Sequence, residues 1–172
     1  MKYFLDTEFI ERPYTIDLIS IGIKCEDERE FYAENVDADL TRANDFVKKN
    51  VIPNLKFRDC SIFEDLDIKS GDVEILGELD LIADGVFRFI NPHKPEFWGY
   101  YADYDWVAFC WLFGSMVDLP KGWPMYCRDL KQLADSLDKP RFEGPKGEHN
   151  ALADARWNKE FYEYLVTAIS ND

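Results

Sequence analysis

Met1-Lys-Tyr-Phe-Leu-Asp-Thr-Glu-Phe9 opens the chain and sets the reading of the rest. Tyr3, Phe4 and Leu5 predict the start of a buried strand, and Asp6 and Glu8 follow two positions apart. Residues i and i+2 of a strand point to the same face, so both carboxylates project side by side. Two neighbouring anions repel, and burying them without a partner is costly. A shared proton, a basic neighbour or a bound cation relieves that cost. Taken alone, Asp-x-Glu is a weak signal, and a solvated strand end is the commoner reading of it. Segments far downstream decide between these readings.

The 172 residues give room for a single domain, 1–172, with a substantial core. Apolar residues make up 47% and aromatics 16%, which is a globular composition. No run of about 18 uncharged apolar residues occurs, so no transmembrane helix is expected. The opening residues show no basic segment followed by a long apolar run, and no signal peptide is expected. The cysteines (25, 60, 110 and 127) form no Cys-x-x-Cys pair, so they are expected as reduced thiols in a cytoplasmic protein. With 20 basic and 34 acidic residues the net charge is −14, which argues against coating nucleic acid through many phosphate contacts. It leaves room for an enzyme that grips one strand end through cations.

From Thr15 to Cys25 the β-branched run Ile16, Ile19, Ile21, Ile23 predicts a strand, and Glu30 to Glu34 predicts its returning partner. The polar stretch from Glu11 to Tyr14 is expected as a loop. Leu40 to Asn50 has helical spacing through Ala43, Phe46 and Val47. Phe57 to Gly71 is expected as an acidic loop. Leu79, Ile82, Ala83, Val86 and Ile90 predict a helix over roughly 75–90. Glu96 to Ala102 reads as an aromatic strand, running into a helix from about Asp103 to Phe113. Helices are also expected from Asp129 to Leu137 and from near His149 to about Thr167. The order predicts an α/β architecture, a mixed sheet flanked by helices.

Acidic residues recur where these elements meet. Asp105, with Asp103 two positions before it, sits where the aromatic strand enters a helix. Asp154 lies inside the last helix between Ala153 and Ala155, with His149 near that helix's start. Asp is costly to bury and a modest helix former, so this placement asks for a reason. If the segments converge, four carboxylates and one imidazole meet. Hard divalent cations prefer such oxygen ligands, and an imidazole with an unperturbed pKa of about 6.5 can accept a proton near neutral pH.

Asp6-Thr-Glu8, Tyr104-Asp105 and His149-Asn-Ala-Leu-Ala-Asp154 resemble, in order and spacing, the three motifs of the DEDDh 3'–5' exonucleases of the RNase T superfamily. The opening stretch, Thr15-Ile-Asp-Leu-Ile-Ser-Ile-Gly22, and Tyr104-Asp105 followed by Trp-Val-Ala-Phe-Cys-Trp-Leu-Phe-Gly114 resemble the adenylate-preferring exoribonucleases called RNase AS. The likeness spans nearly the whole chain and is weakest over residues 57–94. It implies an RNase H-like fold whose first three strands are antiparallel. It further implies two divalent cations, Mg²⁺ or Mn²⁺, held by Asp6, Glu8, Asp105 and Asp154. Asp6, Glu8 and Asp154 would take the first ion, and Asp6 would bridge to the second with help from Asp105. His149 is the implied general base, the implied substrate is the 3' end of single-stranded RNA, and the implied assembly is a homodimer. An exodeoxyribonuclease or oligonucleotidase of the same superfamily is the enzymatic alternative, and a silent binding module is the other class.

The aromatic directly before the motif aspartate favours Asp105 over Asp103. Thr7, Phe9 and Tyr104 are the expected nucleotide contacts, with base stacking expected of Phe9 beside the ligands. Trp98, Tyr100 and Tyr101 are expected to pack in the core. Arg156 and Lys159, one turn past Asp154, suit either a phosphate or an exposed helical face. His93, between two prolines, is expected at the surface.

Overall fold

The computed structural model describes residues 1–58, 60–67, 70–91, 94–137, 142–144 and 149–170. His93 and most of the loop before His149 lie outside the described residues. Strand β1 (Lys2–Arg12) pairs antiparallel with β2 (Thr15–Cys25), and β2 pairs antiparallel with β3 (Glu30–Asn35). The first hairpin is longer than expected. β1 runs through Arg12, whose guanidinium meets Asp17 across the ladder at 2.6 Å. Only Pro13 and Tyr14 make the turn, with Tyr14 at φ 68°.

Four further strands complete the sheet, three of them where the sequence reads as loop or helix. Residues 57–71, expected as loop, contain β4 (Phe63–Leu66). The start of the helix expected from residue 75 is instead β5 (Val73–Gly77), parallel to β3. The apolar positions of β5 happen to match the helical spacing of residues 79–90, and the strand is too short to show its own alternation. Gly77 ends it, and helix α2 (Leu79–Ile90) begins after Glu78. β6 (Glu96–Gly99) lies parallel to β1, and the two-residue β7 (Arg128–Asp129) lies parallel to β6. The sheet order is β4-β5-β3-β2-β1-β6-β7.

The helix expected from Leu40 to Asn50 is broken. A 3₁₀ turn at Leu40–Arg42 ends at Ala43, which is extended, and helix α1 (Asp45–Asn50) starts afresh. Asn44 caps it by accepting from the Val47 N–H at 2.9 Å. Ala43 and Val47 are buried as expected, whereas Phe46 is 54% exposed. Helices α3 (Asp103–Trp111), α4 (Leu130–Ser136) and α5 (Ala151–Ser170) keep closely to the expected positions.

Strand alternation divides the core. Tyr3 and Leu5 of β1 pack with Ile82 and Val86 of α2 and Phe109 of α3 on one face. Phe4 and Trp98 pack with Leu130 of α4 and with Phe161 and Leu165 of α5 on the other. The seven-stranded mixed sheet with helices on both faces is an α/β architecture of the RNase H-like kind, its first three strands antiparallel. Among the described residues no helix is long and apolar enough to cross a membrane.

Candidate active site

β1 is the centre of the site because it sits mid-sheet, with β2 on one side and the short β6 on the other. Its alternation sends Asp6 and Glu8 toward α5 and sends Thr7 toward α3. A register shift between Glu8 and Phe9 interrupts the β1–β2 ladder immediately after the second carboxylate. Such bulges re-aim side chains beside functional sites.

Helix α5 delivers Asp154 from its first turn. Asn150 accepts from the Ala153 N–H at 3.1 Å and so caps the helix just outside the site. The helix then lies directly on the sheet. Gly22 of β2 stands opposite Asp6, and a methyl built there would overlap the Ala151 carbonyl and the Leu152 nitrogen. Four residues beyond Asp154, the buried Asn158 donates its side-chain amide to the Leu5 carbonyl at 2.9 Å. These contacts bring carboxylate oxygens of Asp6, Glu8 and Asp154 within 4.8 Å of one another.

Asp105 approaches from the opposite side of β1. It is buried, whereas Asp103 faces solvent. Its Oδ1 accepts from the backbone N–H of Thr7 at 2.8 Å and from the Thr7 hydroxyl at 2.6 Å. Thr7 is therefore buried and turned to Asp105. Asp105 stands apart from the three-oxygen group but acts on it electrostatically. Burial first, and then Asp105, Asp154 and Glu8, hold the Asp6 carboxyl well above its usual range. Burial, Asp154 and Asp105 push Glu8 up to about 8. Burial raises Asp105 itself only to about 6, because the two Thr7 bonds oppose the shift.

His149 sits at the entrance to α5 with φ 67°, a left-handed conformation that a non-glycine residue rarely takes. Its backbone N–H donates to Asp154 Oδ2 at 2.9 Å. Its ring meets the edge of Phe46 with centroids 4.9 Å apart and is not one of the clustered ligand atoms. On the other flank Phe9 packs edge-on against Tyr104 at 5.9 Å, and Tyr104 is exposed. Trp98 is buried, while Tyr101 is exposed rather than packed in the core. Arg156 is held by Glu30 at 2.8 and 2.5 Å, and Lys159 by Glu28 and Glu163 at 2.8 and 2.6 Å. These ion pairs fasten α5 to the β2–β3 turn, so neither cation faces the carboxylates.

Sequence reasoning missed Thr7 as a support of Asp105, Gly22 as the seat of α5 and Phe46 as a neighbour of His149, and it missed Asn158 altogether. Two of these carried a signal. Glycine inside a β-branched strand marks a close backbone approach, and Asn158 falls on the inward face of α5 with Ala155 and Phe161. An all-oxygen group in which burial and neighbouring carboxylates raise the proton affinity of Asp6 and Glu8 suits a hard divalent cation.

No family model matches the chain. Over 157 residues it is 36% identical to the 3'-5' exoribonuclease of Mycobacterium tuberculosis, in strain CDC 1551 / Oshkosh and equally in strain H37Rv. The match covers 91% of this chain and 88% of each relative, so the likeness is of whole chains and not of one motif. The chain belongs to the family of these 3'-5' exoribonucleases.

Proposed function

We propose that residues 1–172 form one DEDDh exonuclease domain that removes nucleotides from the 3' end of single-stranded RNA in a metal-dependent reaction. The observation that carries this reading is the convergence of Asp6, Glu8 and Asp154 oxygens within 4.8 Å of one another. Asp6, Glu8 and Asp154 would hold one divalent cation, and Asp6 with Asp105 a second. Bound Mg²⁺ or Mn²⁺ supplies Lewis acidity toward the phosphate and lowers the pKa of a water.

The chain's own groups do the rest. His149 takes the proton of the attacking water at its imidazole, while its backbone N–H keeps Asp154 in place. Thr7 orients Asp105. Phe9 stacks on the terminal base, with Tyr104 beside it. The product is a nucleoside 5'-monophosphate. The resemblance to RNase AS adds a preference for adenylates, a homodimer and a cytoplasmic location to the proposal.

The test is a labelled single-stranded RNA incubated with the protein, with and without Mn²⁺, beside a DNA of the same sequence. We expect stepwise shortening from the 3' end, release of 5'-monophosphates, and silence when metal is chelated. Equal shortening of DNA would turn the reading toward an exodeoxyribonuclease. Binding of RNA with no cleavage under any metal would turn it toward a silent module.

A further inference from the structure

β2 sets its two smallest side chains opposite the two carboxylates of β1. Gly22 faces Asp6, and Ser20 faces Glu8. The bareness of Gly22 is accounted for by the helix that lies on it. Ser20 is not so explained. It is 1% exposed, and its hydroxyl has no hydrogen-bond partner among the described residues. Hydroxyls are rarely buried in that state, because desolvation is then uncompensated.

The neighbours on the other side do not need it. Ser20 lies opposite Glu34 of β3. That carboxylate already accepts from the Tyr32 hydroxyl at 2.7 Å and from the backbone N–H groups of Lys56 and Phe57. The Tyr32 hydroxyl gives its proton to Glu34 and lies near Ser20 outside hydrogen-bond geometry, so Ser20 would donate to the phenol oxygen only after a shift of one of the two side chains. Glu8 differs. It meets other carboxylates, Asp154 and Asp105, with no donor directed at it among the described residues. Directly opposed residues of an antiparallel pair have Cβ atoms about 4.5–5.5 Å apart, so a hydroxyl and a Glu carboxylate reach one another by side-chain rotation alone.

We propose that Ser20 is a positioning residue for Glu8: when Glu8 serves as a metal ligand, the Ser20 hydroxyl donates to the carboxylate oxygen turned away from the ion and fixes its orientation. This rests on the metal-dependent reading of the site. Ligating carboxylates are commonly held in this way, and removing the outer partner typically costs about 10–100-fold in metal affinity.

Ser20→Ala separates this role from a structural one, because it deletes only the oxygen atom and leaves the fold its packing. Two quantities are read, the metal-free melting temperature and the Mn²⁺ dissociation constant by calorimetric titration. We expect the metal-free melting temperature to stay level or rise, since a buried unpartnered hydroxyl is removed. The dissociation constant should rise by about tenfold or more. Native Mn²⁺ affinity in Ser20→Ala would overturn the assignment, whatever the melting temperature. A fall in affinity that comes with a lower metal-free melting temperature would also overturn it, since the hydroxyl would then be a bond of the metal-free fold. If the native protein itself binds no Mn²⁺, the metal-dependent reading fails first, and Ser20 with it.

Discussion

The backbone N–H and the hydroxyl of Thr7 donate to one and the same oxygen of Asp105, at 2.8 and 2.6 Å. Thr7 lies between Asp6 and Glu8, so the residue separating two clustered carboxylates anchors the fourth one across the strand. The two hydrogen bonds to Oδ1 tie α3 to β1 beside the clustered carboxylates.

Thr7→Val keeps the shape and the backbone N–H but loses the hydroxyl. A hydrogen bond to a charged or partly charged acceptor in a buried place is worth about 1–2 kcal/mol. We expect urea denaturation to show a loss of that size. Turnover should drop about 10–100-fold, as for other outer supports of metal ligands. Native stability together with native turnover in Thr7→Val would show that the backbone bond alone suffices.

The raised carboxyls make the metal-free protein sensitive to pH, and the sign comes from linkage. Below its ordinary value of 4.5, Glu8 is protonated in the folded and unfolded chains alike, and its contribution is fully present. As pH rises the unfolded chain releases the proton first, and stability falls until the folded Glu8 titrates at about 8. Asp6 acts in the same direction. The metal-free melting temperature should therefore decline between about pH 4.5 and 8, and saturating Mg²⁺ or Mn²⁺ should remove the decline. Asp6→Asn should melt higher than the native protein without metal near pH 8, respond little to metal, and be inactive. A flat melting profile across this window would mean that the carboxylates are not crowded as described.

How much of this was legible depends on the length of each signal. β2 is an eleven-residue β-branched run, and the sequence marks it plainly. β7 has two residues and exists only through its pairing with β6, so nothing local marks it. β5 is hidden because Val73, Ile75 and Leu76 extend the apolar spacing of α2. Phe46 fits a helical core stripe on paper, but Asn44 restarts the helix and the new phase turns its ring outward. The acidic segments stand out as residue types in unusual places. Their supports do not, since a serine, a threonine or an asparagine acquires meaning only from what lies across the strand or under the helix.

Gly22→Ala tests how closely α5 must lie on the sheet. The added methyl meets backbone atoms of Ala151 and Leu152, which cannot rotate aside. Overpacking of this kind costs about 1–3 kcal/mol, and any retreat of α5 withdraws Asp154 from Asp6. We expect lower stability together with weaker Mn²⁺ binding. Gly85→Ala is the control, because its methyl overlaps only side chains, the Cδ1 of Ile75 and the ring of Phe31 under α2, away from the carboxylates. Should both variants bind Mn²⁺ as the native protein does, the seat of α5 does not govern the site.

His149→Ala separates the ring of His149 from its backbone. The N–H that holds Asp154 survives the substitution, although the left-handed φ suits alanine somewhat less than histidine. The ring is not the helix cap either, since Asn150 fills that place. The substitution removes the imidazole and with it the edge contact with Phe46, and aromatic pairs of this kind are worth about 0.5–1.5 kcal/mol. The variant should therefore melt within a few degrees of the native protein and bind Mn²⁺ with native affinity. Its turnover should fall by about 10²–10⁴-fold, the usual contribution of a positioned general base. Asn150→Ala should do the reverse, costing about 1 kcal/mol of stability through the lost cap while the imidazole stays in place. Native turnover in His149→Ala would remove the ring from the chemistry and leave its backbone N–H as the residue's contribution.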